Sequence, residues 1–216
     1  VRDRLAAGAA AVLALVVLAG CGGSQQGPPV SNVKVHDADG INGTVLPQAY
    51  HSPDIALRDT HGASYDLASD ARKPLTLVFF GYTHCPDVCQ VVMANLASAL
   101  VRLDPSQRRQ VGVVFVTTDP RRDTSSVLRA YLDRFDPRFE GLTGTLPAIV
   151  RAGKAYDIPI EKGQKLASGG YDVAHGTQVV GLEPDGTAPY VWTQGTGPGQ
   201  LADDITAILD DKVPAT

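Results

Sequence analysis

The stretch "PLTLVFFGYTHCPDVCQVVMANLASALVRL", residues 74–103, changes its period halfway. Pro74 to Phe80 is a short apolar run rich in β-formers, the composition of a central strand buried on both faces. From Pro86 to Leu103 the apolar residues fall at 88, 92, 96, 99 and 103, which is helical spacing. Pro86 suits the first turn of that helix, where its missing N–H costs nothing. A strand therefore hands over to a helix near residue 81. At that junction the chain places Cys85 and Cys89, with His84 just before the first.

Outward from this unit, strand and helix patterns alternate. "VGVVFVTTD" (111–119) reads as a second buried strand. Thr124 to Phe135 reads as an amphipathic helix with Val127, Leu128, Tyr131 and Phe135 on one face. "LPAIVRAGKAYDI" (146–158) is a shorter helix. Gln178 to Leu182 and Ala188 to Trp192 form a strand pair around the turn signal "EPDG". Gly199 to Lys212 is a terminal helix turning Leu201, Ile205, Ile208 and Leu209 inward. Upstream, "PDIALRDTHGASYDL" (53–67) has the form of a hairpin around Asp59 to Gly62, and Ser31 to Tyr50 reads as polar and irregular. The order predicts an α/β, three-layer sandwich. It is the order of a thioredoxin-like fold with an N-terminal β-hairpin. No internal repeat is evident.

The chain has 216 residues and a formal charge of −4, with 19 basic residues scattered among 23 acidic ones. No clustered basic stripe marks a nucleic-acid surface, so no nucleic-acid partner is expected. At the N-terminus Arg2 and Arg4 precede an almost unbroken apolar run from Leu5 to Ala19, shorter than a membrane-spanning helix needs. It ends in Leu18-Ala19-Gly20-Cys21, which resembles a bacterial lipoprotein box. That resemblance implies cleavage before Cys21 and lipid on its sulfur; an ordinary secretion signal or an uncleaved anchor are the alternatives. "GGSQQGPP" (22–29) is a flexible-to-extended tether. The expected organisation is a lipoprotein signal peptide (1–20), a lipidated tether and irregular segment (21–49), and a folded domain (50–213). The lipid would hold the domain at the extracytoplasmic face of the cell membrane, where disulfides can form.

With Cys21 taken by lipid, Cys85 and Cys89 are the remaining thiols. Residues four apart share a helix face, so the two sulfurs can meet. A helix N-terminus stabilises thiolate, the form that attacks disulfides and binds metal. A redox switch, a soft-metal site and a structural disulfide are all open, although a loop this short gains little from cross-linking. Two sulfurs leave a soft metal undercoordinated, and an added imidazole makes a site that copper(II) also accepts. His84 is nearest in sequence. His175, in the glycine-rich "GGYDVAHGTQVVGL" (169–182), is the preferred third ligand, because the loop before that strand faces the cysteine helix in a thioredoxin-like fold. His36, His51 and His61 read as solvated. Asp119 is expected to approach the site and Asp87 to cap the helix, while Arg121, Arg122 and Asp123 read as a solvated or partner-facing loop.

"FFGYTHCPDVC" (79–89), "TTDPRRDTSSVLRAYLDRFDPRFEGLTG" (117–144) and "YDVAHGTQVVGLEPDG" (171–186) together resemble the Sco (SenC/PrrC-like) family over about residues 50–213. The resemblance implies copper bound by Cys85, Cys89 and His175. It also implies a part in assembling the binuclear copper A centre of cytochrome c oxidase, whose copper A subunit would be the partner. Ala174 stands where the family often has Asp, and Gly176 where Ser is common, so the surroundings of the third ligand differ. The same thiol pair serves a second role, that of a thiol–disulfide reductase keeping the subunit's own cysteines reduced. A thiol peroxidase fits poorly, since Pro86 follows Cys85 and the Pro-x-x-x-Thr-x-x-Cys pattern is absent.

Overall fold

The computed structural model describes residues 40–165 and 171–213. Cys21, the tether and His36 lie outside the described residues. In chain order the elements are β1 (Thr44–His51), β2 (Ala56–Asp59), β3 (Ser64–Asp66), α1 (Leu67–Asp70), β4 (Leu75–Gly81) and α2 (Val88–Arg102). There follow α3 (Pro105–Gln110), β5 (Val111–Thr117), α4 (Ser125–Leu132), β6 (Glu140–Thr143) and α5 (Leu146–Ala155). The last are β7 (Ile160–Lys165), β8 (Tyr171–His175), β9 (Val179–Leu182), β10 (Thr187–Trp192) and α6 (Pro198–Leu209).

Eight strands form one sheet in the order β1-β10-β9-β4-β5-β6-β2-β3, and β7 and β8 pair separately. All seven residues of β4 are buried, as its unbroken apolar run requires of a strand covered on both faces. β5 and β6 follow in parallel, with Gly81 opposite Thr117 at the end of the first ladder. Both crossovers step in one direction along the sheet, and right-handed connection puts α2 and α4 on the same face. The side chains agree: Phe79 meets Phe115, which meets Tyr131 of α4. Phe80, alternating to the other face, meets Tyr156 just past α5. The three layers of the α/β expectation are therefore present.

Several local expectations change. Thr44–His51 is a strand, not an irregular segment; it pairs with β10, with a register shift between Val45 and Tyr50. Pro47 inside the run masks the strand in the sequence, and the irregularity accommodates it. The hairpin β2–β3 forms as expected, but at the opposite edge of the sheet, against β6. Residues 171–175 are a strand rather than a loop, so His175 ends β8 and stands opposite Ile160. Val127 is 36% exposed, while Leu128 and Tyr131 fill the inner face of α4.

Asp204 of α6 fixes the start of the domain. Its buried carboxylate accepts from the N–H of Asn42 (2.8 Å), the N–H of Gly43 (2.9 Å), the Asn42 side-chain amide (2.7 Å) and the Trp192 indole (2.8 Å).

Candidate functional site

The thiols sit where β4 ends and α2 begins. The chain turns after Gly81, and the N–H of Cys85 donates to the carbonyl of Tyr82 (3.2 Å). α2 starts only at Val88, so Cys85 and Pro86 precede the helix and Cys89 is its second residue. Asp87 is the N-cap residue, yet its side chain caps nothing, which corrects the expectation of a carboxylate-capped helix. Its backbone N–H and that of Cys89 are directed at the Cys85 sulfur instead. Both cysteines are free thiols, Cys85 6% exposed and Cys89 fully buried.

The two sulfurs are unequal. The Cys89 thiol donates to the Cys85 sulfur and, with His175 and the two backbone N–H groups, holds Cys85 far below the usual thiol range against the opposing effect of burial. The same hydrogen bond, followed by burial, pushes Cys89 up. The pair thus shares one proton, held on Cys89, and Cys85 is the thiolate.

His175 reaches this pair from β8. Its Nε2 lies 3.7 Å from Cys89 Sγ, and its Nδ1 lies 2.8 Å from the carbonyl of Gly176. A carbonyl only accepts, so Nδ1 carries a proton, and Nε2 is the ring nitrogen that faces the sulfurs. That leaves Nε2 as the nitrogen for a metal, with the ring fixed by a hydrogen bond on its far side. Tyr82 (ring centroids 5.8 Å apart) and Phe79 (6.3 Å) meet the imidazole at near-perpendicular angles and set its plane. Arg122 lies over the Tyr82 ring and pairs with Asp119, so Asp119 is linked to the site through these two side chains. Cys85, Cys89 and His175 are neighbours without forming a finished cage. Among the described residues no group of three or more His, Cys, Asp or Glu side chains does so.

His84 points elsewhere. Its side chain is 55% exposed, and its Nδ1 lies 2.9 Å from Thr83 Oγ1. Asp123, expected on a solvated loop, is fully buried beneath it. The carboxylate accepts from Thr83 through both the N–H (2.9 Å) and the hydroxyl (2.6 Å), and from the Thr117 hydroxyl (2.7 Å). Sequence reading missed Tyr82 and Asp123 as parts of the site. Neither is apolar-periodic or a soft ligand, and only their contacts reveal them.

A thioredoxin-like sheet with two thiols at the junction of its central strand and first long helix, and an imidazole brought in from a separate hairpin, defines a class. It is that of dithiol proteins built for thiol exchange or soft-metal binding at this junction. The chain belongs to the SCO1/SenC family, whose model matches residues 46–210. It is 30% identical over 153 residues to the mitochondrial SCO2 homologue of Bos taurus, covering 70% of this chain and 57% of that protein. Only a little over half the length of that relative is therefore spanned. Over 149 residues it is 30% identical to a protein of Stutzerimonas stutzeri named as copper-binding, covering 69% of this chain and 72% of the other. The solved structure of Bradyrhizobium japonicum ScoI with copper bound superposes with a TM-score of 0.62 at 28% identity, over 76% of this chain and 99% of that one.

Proposed function

We propose that this protein binds copper through Cys85, Cys89 and His175 and passes it on during assembly of the binuclear copper A centre of cytochrome c oxidase. One observation carries the reading: Nε2 of His175 faces Cys89 Sγ at 3.7 Å while Nδ1 is occupied by the Gly176 carbonyl. An imidazole so placed can also activate a thiol for exchange, but as a third donor beside two sulfurs it fits a soft metal. The copper-bound Bradyrhizobium relative and the copper-binding name of the Stutzerimonas relative support the metal. Family membership supports the assembly role.

Copper is cargo here. The residues prepare for it: Cys85 ionises readily, Cys89 gives up its proton as metal replaces it, and His175 turns Nε2 toward the pair. The Tyr82 and Phe79 rings against the imidazole hold it beside the pair. The experiment is a competition titration of copper(I) and copper(II) into the reduced protein and its variants. His175→Ala should weaken copper(II) more than copper(I) and reduce thiolate-to-copper charge-transfer absorption, and His84→Ala should do neither. Equal copper(II) affinity for wild type and His175→Ala would return the dithiol to thiol–disulfide reduction of the oxidase subunit.

The membrane attachment is part of the same proposal. Lipid on Cys21 and the 22–29 tether would hold the copper site on the extracytoplasmic face, beside a membrane-bound oxidase. Cys21→Ala should move the protein out of the membrane fraction; a wild-type protein that is soluble and carries no lipid would remove the anchor.

A further inference from the structure

We infer that Asp123 is a positioning residue for Cys85, acting through Thr83 to hold the strand-to-helix turn where the two sulfurs meet. The inference rests on Cys85 and Cys89 being the working pair. Cys89 is placed by helix α2, but the backbone of Cys85 precedes the helix and is held through its turn. Its backbone N–H bonds to Tyr82, so its place depends on what fixes residues 82–84. Thr83 lies two residues before Cys85. Its N–H and hydroxyl both bond Asp123, from a loop forty residues away in sequence.

The other side of the clamp is rigid. Asp123 also accepts from the Thr117 hydroxyl, and Thr117 is the last residue of β5, in register with Gly81. The next residue, Thr118, donates its N–H to the Gly81 carbonyl at 2.6 Å. Asp123 therefore refers the turn to the most deeply buried strand pair. A fully buried carboxylate is a costly way to fill space, because its charge must be met by hydrogen bonds. Here three donors meet it, and two of them belong to the residue that leads to Cys85. The exposed His84 ring, 3.6 Å from the carboxylate, adds no packing that would explain it.

The test uses the full-length, metal-free protein, so that it stands or falls separately from the copper reading. The dithiol is equilibrated with glutathione buffers. Cys85 and Cys89 lose two electrons and the one proton they hold and join through a sulfur–sulfur bond, while glutathione disulfide gains the two electrons, takes up that proton and one from water, and leaves as two glutathione thiols. Releasing the turn lowers the effective concentration of one sulfur near the other. Thr83→Val keeps the fold, since the side chain is only partly buried, and removes one hydrogen bond to the charged acceptor. It should lower the disulfide equilibrium constant about tenfold, equivalent to about 30 mV. Asp123→Asn, which presents an amide to two donors, should shift it at least as far. Thr83→Ser, which keeps the hydroxyl, should restore the wild-type value. Amide exchange of residues 83–85 should quicken in the first two variants and not in the third, each measured where circular dichroism shows the fold intact. Wild-type equilibrium and exchange in Thr83→Val, or equal shifts in Thr83→Val and Thr83→Ser, would overturn the inference. Copper binding independent of His175 would overturn the proposed function and leave these outcomes untouched.

Discussion

Gly81 carries no side chain where the site has no room for one. A Cβ there would come within 2.9 Å of the Phe79 ring, 3.0 Å of the Phe115 ring and 3.1 Å of Cys89 Sγ. The last contact is with a thiol of the candidate site: the end of β4 is bare where the Cys89 sulfur lies against it. Gly81→Ala should destabilise the fold by about 1–3 kcal/mol, as overpacking does. It should also displace Cys89, seen as weakened copper(I) binding at a temperature where the fold is intact. Unchanged binding would show that the sulfur has slack. Cys85 gives the second prediction at this scale. Its thiol lies far below the usual range, chiefly through the hydrogen bond from Cys89, so it stays ionised as the pH falls well below that of a free thiol. Alkylation of Cys85, followed by mass spectrometry, should be nearly independent of pH between about 6 and 9. A tenfold rise in rate per pH unit across that range would contradict the shared-proton pair.

At the scale of elements, what the sequence reveals and what it hides divide on physical lines. β4, α2, β5 and α6 are legible because each buries a long apolar pattern, and Cys85 and Cys89 are legible because they sit at the joint of two such patterns. β1 is hidden by Pro47 and by a mostly exposed face, and it is held by a partner strand and a distant carboxylate. β8 is hidden because a two-stranded ribbon away from the main sheet needs little apolar alternation. The sequence therefore reads His175 as a loop residue, although the fold order already turns that segment toward the cysteine helix. Asp123 was misread because a charged residue in a polar run looks solvated until its donors are known. The Asp204 cluster offers a prediction about β1. Asp204→Ala leaves the N–H groups of Asn42 and Gly43 and the Trp192 indole without their acceptor, which should cost about 3 kcal/mol. Amide exchange in Thr44–His51 should rise more than in β4. Equal loss of protection in both strands would mean that β1 is not a separately pinned element.

Across the whole molecule, the main sheet anchors the site on two sides: β4 supplies Gly81 and leads to the cysteines, β5 supplies Thr117, and the chain after His175, which stands in the separate β7–β8 pair, returns as β9 beside β4. The fold has an alkaline limit built into its buried phenols. Burial pushes Tyr65, Tyr156 and Tyr190 up to about 12, and Tyr156 also bonds Ser52 at 2.7 Å. A raised folded-state value means that folding favours the neutral phenol. This stabilisation is complete below the ordinary tyrosine value of 10.0 and is lost as the pH rises from there through about 12. Denaturant midpoints should hold up to about pH 10 and fall steeply above it, with the fall reduced in Tyr156→Phe. A flat profile to pH 12 would contradict these burials. The central claim is that two thiolates and one imidazole from β8 take the copper together. X-ray absorption at the copper edge of the reduced, copper(I)-loaded protein measures that ligand set directly. The account predicts two sulfur neighbours and one imidazole nitrogen, with the nitrogen shell lost in His175→Ala and kept in His84→Ala; a wild-type spectrum with sulfur neighbours alone, or a nitrogen shell that survives in His175→Ala, would contradict it.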